Sequence, residues 1–275
     1  MEIRAFCFTL LLLLAGVLTV APPADAEVLR MATTTSTDNT GLLDYLAPHL
    51  QEETGIELQW VAVGTGRALA LGRNCDVDVL MVHAPEAEMQ FVSRGHGVNR
   101  RQIMYNDYVI IGPAADPARV QGDSVSSALD RIASSGALFA SRGDDSGTHK
   151  KELALWEQAG LSVPDRESWY IQTGQGMLPT ITIAAERDAY TLTDRGTFIK
   201  YAHNWDGSPP LIVLVEGDAS LRNQYSVIAV NPEKCANVHI DLADRFIAWI
   251  TGRGGQRLIG EFTLLGRQLF IPNAR

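Results

Sequence analysis

Three short stretches of this chain concentrate the residue types that do chemistry. They are TTTSTDNTG over 33–41, VGTGRAL over 63–69 and SRGDDSGTHKK over 141–151. All three are rich in glycine and small hydroxyl residues, and the third adds an arginine, two aspartates, a histidine and two lysines. Hydroxyls and unpaired backbone amides that converge at the start of a helix hold anions without many charged side chains. Arg142 supplies a planar fork of donors that suits a fixed oxyanion. Ser146, Gly147 and Thr148 form a first helical turn with two hydroxyls and free amides. Asp144 and Asp145 either cap that turn or pair with Arg142 and hold its guanidinium toward a ligand, while Lys150 and Lys151 read as solvated helix positions. Taken singly, each junction is also an ordinary N-cap, since Ser, Thr and Asp are common there. YTLTDRGTF (190–198) and TGQGMLPT (173–180) repeat the pattern and read as wall contacts or structural caps.

Other chemistries find less support. Ser146, His149 and Asp145 lie within one helical turn and cannot converge as a triad, and no G-x-S-x-G elbow occurs. His49 and His83 have no companions at metal-ligand spacing, and H-E-x-x-H is absent. VGTG lacks the Lys of a P-loop and the third glycine of a dinucleotide fingerprint. No catalytic residue, cofactor or metal site is therefore expected. His83, at a strand end in VHAP, reads as a hydrogen-bonded residue near a cleft.

The elements around these stretches alternate. VLRMATT, IELQWVAVG and VDVLMVHA read as strands; GLLDYLAPHLQEETG, GRALALG and PEAEMQFVSRG read as the helices between and after them. Pro48 is expected to bend or restart the first of those helices. Strand-helix alternation at this spacing makes an α/β fold with parallel sheets, and the three stretches fall at carboxyl ends of strands, where such sheets place ligands. A second round of alternation follows: helix SVSSALDRIASSG, strand ALFASRG, then helix SGTHKKELALWEQAG with Leu153, Leu155, Trp156 and Ala159 available for burial. Two similar segments, MYNDYVIIGPAADP (104–117) and NQYSVIAVNPEK (223–234), bracket a central block. As paired strands they form a two-strand hinge. The reading divides the chain into lobe one, 27–112 with 226–275, and lobe two, 113–225. The alternative is one larger sheet.

Residues 1–26 show a basic Arg4, an apolar run and Ala24-Asp25-Ala26, the pattern of an export signal cleaved after Ala26. The remainder, 46% hydrophobic and 20% charged over the whole chain, is that of an ordinary globular protein. The formal charge is −9, and without Glu2, Arg4 and Asp25 it is −8 (−9 + 1). An acidic protein makes a poor general binder of nucleic acid or anionic membrane, so an anion must be held by local geometry. Cys75 and Cys235 are an even pair in an oxidising compartment, which invites a disulfide; two separate buried thiols are the alternative.

Together, MATTTSTDNTGLLDYLAPHLQEETG, VAVGTGRALALGRNCDVDVLMVHAPEAE, MYNDYVIIGP and SRGDDSGTHKKELALW resemble the tungstate-binding periplasmic components of ABC importers. GQGM and YTLTDRGTF extend the resemblance over nearly the whole chain after residue 26. It implies a two-lobed, type II solute-binding fold, each lobe a mainly parallel sheet flanked by helices, with two hinge strands between them. Such a protein closes on one tetrahedral oxyanion in the periplasm and docks on a membrane permease. The residues carried over are Thr34, Thr35, Ser36, Thr65, Arg142, Ser146 and Thr148, with Gly147 in the same turn. A monomer without nucleic-acid partners is expected. A site built only of donors favours a fully deprotonated dianion, whereas Asp144, Asp145 or Asp194 facing the ligand favours phosphate, which keeps a proton near neutral pH. Tungstate over molybdate or sulfate rests on the resemblance. An exported α/β hydrolase and a binding module for a receptor ectodomain are the readings from other classes.

Overall fold

The computed structural model describes residues 27–206 and 208–274, so the expected export segment lies outside the described residues. Strands β1 (Glu27–Thr34), β2 (Ile56–Val63) and β3 (Val79–Val82) run parallel with β1 in the middle. Helices α1 (Thr35–Asp38) and α2 (Leu42–Thr54) follow β1, α3 (Thr65–Arg73) follows β2, and α4 (Pro85–Ser93) follows β3. β3 is entirely aliphatic and entirely buried. Val79 and Met81 enter the core shared with α2, and Leu80 and Val82 enter the core shared with α3 and α4. That is the two-residue alternation of a strand covered on both faces.

The long strand β4 (Gly97–Pro113) belongs to both sheets. As far as Asp107 it pairs antiparallel with β9 (Arg222–Val230), which in turn pairs antiparallel with β3. The first half of β4 therefore runs in the same direction as β1, β2 and β3. From Tyr108 onward it pairs with two other strands, β7 (Thr191–Asp194) and β8 (Leu211–Val215), both antiparallel to it. β5 (Phe139–Ser141) and β6 (Tyr170–Gln172) are parallel, and a bridge from Phe139 to Tyr190 sets β5 parallel beside the entry to β7. In the first sheet β9 and a short C-terminal strand, Ile271–Pro272, which pairs antiparallel with β4, oppose the parallel strands, and in the second sheet β4 itself does. At Gly112 an added Cβ would stand 2.5 Å from Tyr190, so only glycine lets β4 pass there.

The second sheet is also covered on both faces. Tyr108 and Ile110 join a core with α5 (Val125–Ser135) and α6 (Gly147–Gln158), while Val109 and Ile111 join one with α7 (Met177–Glu186) and α8 (Arg195–His203). The chain returns through β9 to α9 (Ile240–Thr251) and α10 (Arg253–Glu261), which close the first core. α2 is one uninterrupted helix across Pro48, so the helix does not restart there. Pro48 and Asp44 are both exposed, so the carbonyl that loses its helical donor is left to solvent. Gly55 ends the helix with a φ of 75°, the left-handed cap expected of it.

Cys75 and Cys235 form a disulfide with their Cα atoms 5.3 Å apart. The bridge spans 160 residues, including the whole second sheet, while both of its ends lie on the first. It ties the loop after α3 to the loop after β9 independently of the shared strands. The double substitution Cys75→Ala/Cys235→Ala is expected to lower unfolding free energy by about 2–5 kcal/mol. Chemical denaturation checks this, and a loss below about 1 kcal/mol would assign the bridge no stabilising role.

Candidate functional site

The last residue of β1, Thr34, is buried and caps α1, its hydroxyl accepting from the Thr37 amide at 3.3 Å. Its Oγ1 also lies 2.7 Å from Thr37 Oγ1 and 3.2 Å from Ser36 Oγ, so three hydroxyls form one cluster. Behind them stands His83, just past the end of β3, with Nε2 3.1 Å from both Thr34 Oγ1 and Ser36 Oγ. Beside this cluster, Thr65 opens α3, is buried, and follows Gly64, which has no side chain to cap the helix.

The opposite wall is the β5–α6 junction. Arg142 follows β5, and its carbonyl accepts from the Gly174 amide at 2.8 Å. Its Nη2 donates to Asp144 Oδ2, while Asp144 Oδ1 accepts from the Ser146 amide at 3.2 Å. Burial alone would push the Asp144 carboxyl up, but the Ser146 hydrogen bonds and the Arg142 charge bring it below the usual carboxylate range. Arg142 Nε is buried and has no partner among the described residues. Ser146 Oγ accepts from the His149 amide at 3.2 Å, and a hydroxyl that accepts a capping bond keeps its own proton to donate. The loop turns tightly through left-handed backbone at Gly143 and Asp145, and a Cβ on Gly143 would sit 3.0 Å from Gln172.

These walls meet. An added Cβ at Gly147 would lie 3.4 Å from Thr65 Oγ1 and 3.6 Å from the His83 ring. Thr34, Thr35, Ser36, Thr65, Arg142, Ser146, Gly147 and Thr148 all line one cleft of about 460 Å³, with His83, Arg67, Asp144 and Asp145. An adjoining pocket of about 310 Å³ shares Thr35, Ser36 and Arg142 and is closed by Gly176, Met177, Thr197 and Lys200. Lys200 reaches across to donate to the Asn39 carbonyl.

The remaining sequence candidates are engaged in other contacts. Asp194 caps α8, accepting from the Thr197 amide at 2.9 Å and its hydroxyl at 2.7 Å. Arg195 is held by Asp107 and Glu216. Asp145 pairs with Lys150, as a solvated position does, but Lys151 is partly buried, and burial lowers its pKa against the pull of Asp218 and Glu86. His149 Nδ1 accepts from the Asp145 amide at 3.0 Å, so its ring turns to the backbone and away from a triad with Ser146.

Two features were not read from the sequence. Arg67, in the first turn of α3, lines the cleft, and its type beside GTG was the only available sign. Glu152 is buried where Leu153 and Ala159 were expected to be, which are only partly buried. It accepts from Tyr170 OH at 2.5 Å and from Trp156 Nε1 at 3.2 Å, and burial pushes it up to about 7. Its spacing of four residues from Trp156 was the available sign.

A family model described as a PBP superfamily domain matches residues 21–253. Tungstate-binding protein TupA of Campylobacter jejuni is 48% identical over 240 residues, covering 87% of this chain and 89% of that protein. The structure of the tungstate-binding protein TupA from Desulfovibrio alaskensis G20 has a TM-score of 0.86 and 61% identity, covering 91% of this chain and all of that one (100%). That of the tungstate ABC transporter from Geobacter sulfurreducens has a TM-score of 0.77 and 46% identity, covering 86% of this chain and 99% of that one. These relatives are named as binding and transport proteins, and the family-model match over residues 21–253 spans every element of the cleft. The chain belongs to the PBP superfamily and, within it, to the family of the TupA proteins.

Proposed function

We propose that the protein captures a tetrahedral oxyanion, tungstate, between its two lobes and delivers it to the permease of an ABC importer. The observation that carries this reading is the cleft itself: hydroxyls and helix-start amides from both sheets surround Arg142, whose guanidinium is braced by Asp144 with Nε left over. Lobe one, 27–112 with 226–275, and lobe two, 113–225, are proposed on the changeover of β4 from β9 to β7 and β8. Export through residues 1–26, a periplasmic location and action as a monomer belong to the same proposal.

The chemistry of the wall favours a dianion. The carboxylates that a protonated phosphate would want as acceptors already take bonds within the protein, Asp144 from Arg142 and Ser146, Asp145 from Lys150 and Asp194 from Thr197, which weakens them as acceptors for a ligand proton without using up their lone pairs. The cleft then offers donors, and a fully deprotonated oxyanion uses all of them. Tungstate is chosen over molybdate and sulfate because the relatives carry that name. A hydrolase is disfavoured because Ser146 caps α6 and the His149 ring is bonded to the Asp145 amide, away from the Ser146 hydroxyl.

Calorimetric titration with tungstate, molybdate, sulfate and phosphate tests the reading. Tungstate is expected to bind tightest and phosphate weakest; a preference for phosphate, or no binding at all, overturns it. Arg142→Ala is expected to weaken tungstate binding by about 1.5–3 kcal/mol, or roughly 10- to 150-fold, with an unchanged melting temperature. Unchanged affinity would place Arg142 outside the site. Asp144→Asn is expected to cost about tenfold, because the guanidinium loses its charged brace. Since the Asp144 carboxyl sits below its ordinary range, the brace is intact above that range and is lost only as pH falls through the lowered value. Affinity measured down from neutral pH should therefore hold through weak acid in the unsubstituted protein; an early fall absent from Asp144→Asn would contradict this.

A further inference from the structure

His83 is buried, stacks on Tyr225 with ring centroids 4.7 Å apart, and sits directly behind the hydroxyl cluster. Its hydrogen bonds fix which nitrogen carries the proton. Asn223 donates from Nδ2 to Asn106 Oδ1 at 2.7 Å and to Tyr225 OH at 3.2 Å, so its Oδ1 faces His83 Nδ1, 2.9 Å away. An acceptor there requires Nδ1–H on the imidazole, which leaves Nε2 of the neutral ring as an acceptor. Two hydroxyls compete for it at equal distance, Thr34 and Ser36. Thr34 Oγ1 accepts the Thr37 amide and lies 2.7 Å from Thr37 Oγ1, a pair in which either hydroxyl can donate; with Thr37 as the donor, the Thr34 proton turns to Nε2. Ser36 then keeps its proton for the cleft it lines.

We propose that His83 is the positioning residue of the anion site: with Nδ1–H tied to Asn223, its neutral ring accepts the Thr34 proton at Nε2 and so leaves the Ser36 hydroxyl to donate to the bound oxyanion. This rests on the oxyanion reading above. The ring is anchored at the changeover of β4, since Asn106 and Asn223 are register partners one step before Asp107 and Arg222, the last pair. Burial lowers the imidazole pKa and keeps the ring neutral against the hydrogen bond to Asn223 and the distant charge of Asp194. The other groups facing it are the phenols of Tyr108, 3.5 Å from Nδ1, and Tyr225, both kept neutral by burial. Across the cleft are Thr65, Gly147 and the braced Arg142.

The test is calorimetry with tungstate on the full mature chain, in two buffers of different ionisation heat, between about pH 6.5 and 9. Binding by the unsubstituted protein is expected to take up no proton and to keep its affinity across that range. His83→Ala should weaken binding about 10- to 100-fold, and His83→Gln, whose amide oxygen can take the same proton, should recover to within about tenfold. Removing Ser36 in the His83→Ala background should add little, since the two act as one unit. Uptake of a proton on binding would make the ring a charged donor and overturn the proposal, and it needs no variant. Full affinity in a folded His83→Ala would overturn it too, while leaving the oxyanion reading standing. Absence of tungstate binding by the unsubstituted protein would overturn both.

Discussion

The two sheets share one strand. In a buried sheet every backbone amide and carbonyl needs a partner, and β4 meets this by giving its bonds to β9 as far as Asp107 and to β7 and β8 from Tyr108. With both sheets hung on one strand, the carboxyl ends of β1, β2 and β3 face the carboxyl end of β5 across a common gap. The helices that start there, α1, α3 and α6, bring their first turns to that gap as a consequence of topology. The changeover is also where the side chains of Asn106, Asn223, Tyr108 and His83 touch, so the shared strand reaches the Thr34–Ser36 cluster through contacts of 2.7 to 3.5 Å.

A chain with a formal charge of −9 repels the anions it is proposed to hold. At physiological ionic strength, exposed charges act over only about 8 Å. A partly buried guanidinium and helix-start amides at contact distance therefore decide the local field. Arg142 alone would leave that field free to swing with its side chain. Asp144 removes the freedom at the expense of some positive charge, and the same carboxylate satisfies the Ser146 amide. One aspartate thus fixes the arginine and the helix start relative to each other, which fixed donors require.

Much of this was legible in the sequence because it follows from local rules. The alternation of VLRMATT, LLDYLAPHL and IELQWVAV sets strand, helix and strand, and the Thr-Ser and Ser-Gly-Thr runs mark the helix starts between them. The similar segments around Tyr108 and Tyr225 pointed to paired strands. Other features depended on tertiary context. Pro48 leaves its helix whole because its face is solvent, and the burial of Glu152 depends on Tyr170, 18 residues on. The role of Asp144 was left open between two local geometries that the sequence supports equally. His83 was read correctly as a hydrogen-bonded residue, but its partners come from segments 25 to 140 residues away, and no spacing rule connects those.

Charge state and size are recognised by different parts of such a cleft. Whether a protonated oxygen of a ligand is accommodated is decided by single donors and acceptors, and the bonds that Asp144 and Asp145 already accept bias that locally toward an unprotonated one. Size is decided by how closely two separate walls approach, which is a property of packing between them. Gly147 stands at that approach. A Cβ there would meet Thr65 and His83 at ordinary contact distances, 3.4 and 3.6 Å, so a methyl is sterically admissible. It would nevertheless fill the space between the hydroxyl wall and the α6 amides. The glycine keeps its amide and the Thr65 hydroxyl within reach of the same small volume. On the proposed function, discrimination between oxyanions of one charge and geometry would depend on the stop that Thr65, His83 and the start of α6 form together, and only secondarily on any one donor.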